Sequence, residues 1–146
     1  MARILAFDFG ERRIGVAASD PTRTIASPLA TVQRRAGKRP PYTELLSLIH
    51  EQEADALVVG LPLDLSGEET SWTAEVRAFG EGLASRTGLP VHWMDERMTS
   101  VRAERAVRGM GLRRTEREQK ARVDAAAAAL ILEGWLSLRR NLGEGA

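Results

Sequence analysis

A carboxylate at the end of a buried apolar strand near the N-terminus most constrains the fold. Residues Ile4–Phe7 are apolar or aromatic, which predicts a strand buried on both faces. Asp8 interrupts this run, and the apolar segment Ile14–Ala18 follows after a turn at Gly10–Arg13, so the pattern predicts a β-hairpin. A buried carboxylate is costly unless it is paired or meets a cation. Asp8 is therefore either a functional acid on a rigid sheet or a structural residue that caps the turn or pairs with a nearby arginine.

Length and composition exclude several classes of protein. The 146 residues fit one domain spanning 1–146, and the absence of cysteine excludes a disulfide framework, a thiolate nucleophile and a Cys-type zinc site. No apolar run approaches the roughly 20 residues needed to cross a bilayer. The N-terminus also lacks the apolar region and cleavage site of a signal peptide. We therefore expect a cytoplasmic protein without a membrane partner.

The net charge of +1 conceals a basic segment. Residues Arg97–Arg122 contain nine Lys or Arg and three Glu, so this segment carries +6 and the rest of the chain carries −5. Such a concentration favours a surface for a polyanion over a solvated helix face with Glu104–Arg108 pairing. We expect Arg113–Lys120, which lacks an apolar pattern, to be mobile and to become ordered on nucleic acid. The predicted nucleic-acid contacts are Arg97, Arg113, Arg114, Arg117 and Lys120.

The remaining pattern alternates strands and helices. After the hairpin, the predicted elements are a strand at Ser27–Gln33, a loop at Arg34–Pro41, a helix at Thr43–Glu53, a strand at Asp55–Gly60, a helix from Thr70 or Ser71 to about Thr87, a strand at Val91–Glu96, a helix from Thr99 or Ser100 to Met110, and a last helix at about Lys120–Leu138. Hairpins followed by right-handed crossovers predict an α/β fold, a mixed five-stranded sheet flanked by helices.

Three acids recur at the ends of predicted elements. Asp8 and Glu96 end strands, and Asp124 lies among alanines near the start of the last helix. Carboxylates gathered at one edge repel each other, and Mg²⁺ or Mn²⁺ relieves this repulsion while accepting phosphate oxygens. Such a cation orients a water and stabilises the leaving oxygen of a phosphodiester. The basic segment lies between Glu96 and Asp124, in position to hold a nucleic-acid strand.

Four sets of residues recur together in one order: Asp8–Gly10 with Ile14–Ala17, Val58–Pro62, Asp95–Thr99, and Lys120–Asp124 with Ala126 and Ala127. With these motifs the chain resembles the YqgF family, a RuvC-like group of RNase H-fold proteins associated with pre-16S rRNA processing and with Holliday-junction resolution. The resemblance implies an RNase H-like fold and a divalent-metal-dependent nuclease. It implies Asp8, Glu96 and Asp124 as the catalytic and metal-binding acids.

One departure from the resembled pattern concerns the last helix. RuvC-type resolvases carry two acids one turn apart there, whereas the neighbours of Asp124 at that spacing are Ala121 and Ala127. A second metal site then needs Asp95 or a substrate phosphate. We expect Asp95 to point elsewhere or to act as an outer ligand.

Three functions remain open on the sequence. Processing of the 5′ end of pre-16S rRNA is favoured over resolution of branched DNA, because two symmetric cuts need a dimer and Trp72, Phe79, Trp93 and Trp135 are explained by core packing. The third is a non-catalytic ribosome-assembly factor. A resemblance of Asp8–Gly10 to actin- and Hsp70-like ATPases is disfavoured, since those proteins need two such domains. The sequence leaves open whether the chain is a monomer or a homodimer.

Overall fold

The computed structural model describes residues 2–99 and 117–141, with side chains in the second range from residue 124 onward. Its elements are β1 (Arg3–Phe9), β2 (Arg13–Ser19), β3 (Ala26–Gln33), α1 (Tyr42–Glu51), β4 (Ala54–Leu61), α2 (Ser71–Thr87), β5 (Val91–Asp95), a 3₁₀ turn (Glu96–Met98) and α3 (Arg117–Asn141). The helix predicted to end at Met110 lies outside the described residues. No helix in the described ranges is long and apolar enough to span a membrane.

The five strands form one mixed sheet, as predicted, and their order in the sheet is β3-β2-β1-β4-β5. β2 is antiparallel to both β1 and β3, whereas β4 is parallel to β1 and β5. β3 therefore runs in the same direction as β1, β4 and β5. The carboxyl ends of these four strands consequently share one edge of the sheet, called here the carboxyl edge.

The two faces of the sheet carry separate cores, because side chains alternate along a strand. In β1, Leu5, Phe7 and Phe9 pack with α1 and α2, while Ile4 and Ala6 pack with α3. Asp8 continues the series of Ile4 and Ala6 and so belongs to the α3 face. The alternation thus directs the one acid of β1 toward the last helix.

The limits of α2 follow from its two caps. The Thr70 side chain accepts a hydrogen bond from the Thr73 backbone N–H, and the Thr73 hydroxyl accepts one from the Thr70 N–H in return. Gly88 ends the helix in the left-handed conformation, at a φ of 73°. This confirms the predicted cap and places the first turn of α2 directly after the loop that leaves β4.

Two predicted boundaries were wrong for local reasons. α3 begins at Arg117 rather than Lys120, so the second half of the segment predicted to be mobile is helical. Glu, Gln, Lys and Arg are good helix formers even without an apolar pattern. β5 ends at Asp95 and Glu96 starts the 3₁₀ turn, because the Asp95 side chain accepts the Arg97 N–H at 2.9 Å.

Candidate active site

Asp8 lies at the carboxyl edge in the centre of the sheet. It is the second-last residue of β1 and is only 5% exposed. Its register partner on β2 is Gly15. A nearly buried acid on a central strand has little freedom of position, because both neighbouring strands hold its backbone.

Gly15 determines how closely α3 approaches Asp8. A Cβ atom at this position would lie 2.0 Å from the backbone oxygen of Asp124, which no real contact allows. Glycine therefore lets the backbone of α3 rest directly on β2. Since Gly15 is opposite Asp8, this contact places Asp124 beside Asp8. The buried Ala125, Ala127 and Ala128 continue the close packing along α3.

Glu96 approaches the site from the β5 flank of the sheet, opposite to the flank formed by β2 and β3. It follows β5, is 4% exposed, and lies next to Gly60 of the intervening strand β4. A Cβ atom at Gly60 would lie 3.0 Å from Glu96 Oε2 and 2.5 Å from Ile131 Cδ1. The glycine therefore makes room both for the Glu96 carboxylate and for α3.

A single open cleft of about 560 Å³ contains all three predicted acids. Its lining residues are Asp8, Phe9, Gly10, Glu11, Pro62, Ser71, Trp72, Glu75, Glu96 and Asp124. The structure thus brings together Asp8, Glu96 and Asp124 from three separate segments of the chain. It also adds a wall formed by the first turn of α2.

Asp124 lies close to a basic side chain within this site. Its Oδ2 atom is 3.9 Å from Arg13 Nε, and both side chains are 24% exposed. From the sequence, one possible role of Asp8 was to pair with a nearby arginine. In the structure Arg13 lies within ion-pair distance of Asp124, because α3 rests on the strand that carries Arg13.

Asp95 is held by Arg97. The Arg97 Nε lies 3.1 and 3.0 Å from the two Asp95 carboxylate oxygens, and its Nη2 lies 2.7 Å from Oδ2. Hydrogen bonding to Asp95 raises the pKa of Arg97 above its ordinary value. Arg97 therefore stands at the carboxyl edge with part of its charge balanced locally, and its predicted contact with nucleic acid stays a prediction.

The acids fit a hard divalent cation by the chemistry of their donor atoms. Carboxylate oxygens are the ligands that Mg²⁺ and Mn²⁺ prefer. Among the described residues, however, no three or more His, Cys, Asp or Glu side chains converge closely enough to hold a metal ion. Asp8, Glu96 and Asp124 therefore share a cleft without forming a metal-binding group in this structure, and their role as metal ligands stays a prediction.

The structure also reveals lining residues that the sequence reasoning missed. Glu75 and Trp72 of α2 and Glu11 of the β1–β2 turn border the cleft. The sequence did contain a signal that the start of α2 borders the cleft. The helix follows the loop that leaves the carboxyl end of β4, so it must start at the carboxyl edge of the sheet. Of the other predicted contacts, Arg113 and Arg114 lie outside the described residues, and Arg117 and Lys120 begin α3.

Comparison with known proteins agrees with this architecture. A family model described as "RuvX: Holliday junction resolvase" matches residues 2–138. The chain belongs to the RuvX family. The RuvC-like resemblance seen in the motifs is thereby confirmed.

Relatives of this RuvX-family chain carry a further description. A protein of Maridesulfovibrio salexigens is 39% identical over 135 residues, which cover 92% of this chain and 98% of the relative. A protein of Roseiflexus sp. is 41% identical over 138 residues, which cover 94% of this chain and 96% of the relative. Both are named "Putative pre-16S rRNA nuclease". The chain therefore matches these relatives over nearly their whole length.

Solved structures of RuvC share the fold. Thermus thermophilus RuvC in complex with a Holliday junction substrate aligns with a TM-score of 0.55 at 17% identity, covering 99% of this chain and 98% of that one. A second Thermus thermophilus RuvC structure gives 0.56 at 16% identity, with 98% of each chain covered. At this identity the likeness establishes the RuvC-like, RNase H-type fold of this RuvX-family chain.

Proposed function

We propose that this RuvX-family chain is a divalent-metal-dependent endonuclease that processes the 5′ end of precursor 16S rRNA. The observation that carries the proposal is the meeting of Asp8, Glu96 and Asp124 in one open cleft at the carboxyl edge. Gly15 and Gly60 are the two positions whose missing side chains make that meeting possible. The names of the relatives at about 40% identity support the substrate.

The chain's own residues have distinct roles in this proposal. Asp8 and Glu96 are almost buried at the carboxyl edge, so their carboxylates would hold the cation against the rigid sheet. Asp124 approaches from α3, and Arg13 beside it balances its charge before the cation binds. A bound Mg²⁺ or Mn²⁺ supplies charge neutralisation at the phosphate and a more acidic water. The cleft is open to solvent, so an extended strand can reach the three acids.

The test is cleavage of a precursor 16S rRNA fragment by the purified protein in Mn²⁺, in Mg²⁺ and in chelator. We expect cutting only with a divalent cation, and loss of at least about a thousandfold in rate for Asp8→Asn, since a catalytic charge is removed. Asp55→Asn is the matched control, because it makes the same change of side chain at the opposite end of the sheet, where Asp55 pairs with Arg23. Metal-independent cutting, or normal cutting by Asp8→Asn, would overturn the proposal.

The description of the family model favours a second candidate, resolution of Holliday junctions. That reaction needs two symmetric cuts, and therefore two copies of the cleft at a fixed spacing. The same preparation is assayed on a four-way junction, with its mass in solution measured in parallel. Paired symmetric nicks by a dimer, with precursor rRNA left whole, would replace the first proposal by the second. Binding of either substrate without cutting would instead indicate an assembly factor.

A further inference from the structure

The loop between β3 and α1 carries a concentration of positive charge that the proposed site does not use. Residues 34–39 contain Arg34, Arg35, Lys38 and Arg39 and no acid. The last three of these are exposed. Within residues 2–99 and 124–141, none of the three forms an ion pair with a carboxylate. Glu44, at the start of α1, is the acid that shares a shallow groove with Arg39.

Arg34 ties this loop to the wall of the cleft. Its backbone N–H donates to the Arg12 carbonyl at 2.9 Å, and its Nη1 donates to the carbonyl of Gly10, a cleft residue, at 3.1 Å. The guanidinium carbon lies 4.4 Å from the ring centroid of Phe9, another cleft residue. Arg34 is therefore a structural anchor, which leaves the other cations of the loop to face solvent.

The loop is also braced at its ends and in its turn. Arg34 Nη2 donates to the Lys38 carbonyl at 3.1 Å, and the Lys38 N–H donates to the Arg35 carbonyl at 3.1 Å. Gly37, at a φ of 73°, provides the left-handed residue of this turn. Arg39 and Arg86 both lie over the ring of Tyr42, at 5.9 and 3.7 Å. The positive charges are thus presented on an ordered scaffold.

The topology places this loop beside the acidic cleft. β3 ends at the carboxyl edge two strands from β1, so its end lies about 10 Å from β1 across the sheet, at about 4.8 Å per strand. β5, with Arg97 after it, ends two strands away on the other side. A separation of about 10 Å corresponds to roughly three nucleotides of a stacked strand. A strand held at the cleft would therefore pass the loop with its neighbouring phosphates.

We propose that Arg35, Lys38 and Arg39 form a second phosphate-binding surface that holds the nucleic-acid strand where it leaves the cleft on the β3 side. The inference rests on the proposed function only in taking nucleic acid as the ligand. Because the contacts are to phosphates, they add affinity and salt dependence without base specificity. They also act on binding rather than on the chemical step.

The test uses the double variant Arg35→Gln/Lys38→Gln, because neither side chain makes a contact that holds the loop. Arg3→Gln/Arg140→Gln is the matched control, since it removes the same charge at the opposite end of the sheet and of α3. Binding of fluorescein-labelled precursor 16S rRNA is measured by anisotropy across a salt series, with Asp8→Asn in every protein so that the RNA stays intact. Thermal unfolding verifies that both variants are folded.

We expect the loop variant to bind at least about tenfold more weakly at low salt, and the slope of log K against log salt to decrease by about 1.4. In the background with Asp8 intact, KM for cleavage rises by a similar factor while kcat is unchanged. The control variant changes binding by less than about threefold. Equal affinities and slopes for loop variant and control would overturn this proposal and leave the proposed function standing. If the unaltered protein binds no nucleic acid, both the proposed nuclease function and this proposed surface are overturned. If it binds nucleic acid without cutting it, the proposed function is overturned and the proposed surface still holds.

Discussion

The two faces of the sheet are packed in opposite ways. On the α1 and α2 face, large rings fill the space: Phe79 stacks on Phe9 at 4.3 Å and meets Phe7 edge-on at 6.0 Å. On the α3 face, Gly15 and Gly60 remove side chains so that the helix can approach closely. The aromatic face buries the larger apolar side chains and should provide more of the stability. The face with small residues determines where Asp124 stands and hence how the site is assembled.

The largest expected effect on stability lies on the aromatic face. Phe79→Ala should lower the free energy of unfolding by about 4 kcal/mol, because it removes a fully buried ring in contact with three other aromatic side chains. Chemical denaturation measures the loss. The cleavage rate per folded molecule should change little, since Phe79 does not line the cleft. If Phe79→Ala also lost much of its cleavage rate at a low temperature where it is fully folded, the aromatic face would contribute to the position of the site as well as to stability.

Gly15→Ala tests the face with small residues. The added methyl group meets the Asp124 backbone oxygen at 2.0 Å, so α3 must move away from β2. We expect a loss of about 2–3 kcal/mol in the free energy of unfolding, the usual cost of overpacking. Because the shift moves Asp124, the cleavage rate should fall about a hundredfold even where the protein is folded. Unchanged cleavage by folded Gly15→Ala would contradict the positioning role of this glycine.

Asp8→Asn separates function from stability at the site itself. Five carboxylates line this cleft, those of Asp8, Glu11, Glu75, Glu96 and Asp124, so the loss of one negative charge relieves repulsion in the absence of metal. The unfolding midpoint in chelator should stay equal to that of the unaltered protein or rise, although cleavage is lost. Calorimetry in chelator measures this. A clear decrease of the midpoint would indicate that Asp8 is mainly a structural partner.

The smallest effect is expected at the exposed end of β5. Arg97→Gln removes the hydrogen bonds to Asp95, which is a partly exposed pair. The free energy of unfolding should fall only slightly, as is usual for surface ion pairs. Denaturation at low and high salt measures this difference, which salt should reduce further. A loss of several kcal/mol would mean that this pair helps to hold Glu96 in place.

The sequence predicted the sheet and its order of elements, because these depend on local patterns. The three acids it singled out line one cleft, and their catalytic role stays a prediction. The apolar run before Asp8 and the alternation after it are visible in one short stretch. Gly15 resting against Asp124 was not predictable, since residues more than a hundred positions apart meet only after α3 packs on β2. The same holds for Arg13 beside Asp124 and for Trp72 and Glu75 at the cleft. Glu96 was predicted to end the last strand, whereas it begins a 3₁₀ turn that depends on a side-chain cap by Asp95.

The central claim is that Asp8, Glu96 and Asp124 together bind a divalent cation. The most direct measurement is a crystal structure of the protein soaked in Mn²⁺, with the anomalous difference map calculated for the unaltered protein and for Asp8→Asn. The account predicts a peak in the cleft with carboxylate oxygens of these three residues as ligands, and no peak in Asp8→Asn. A cleft without Mn²⁺ at concentrations that support cleavage, or a peak held by other residues, would contradict it.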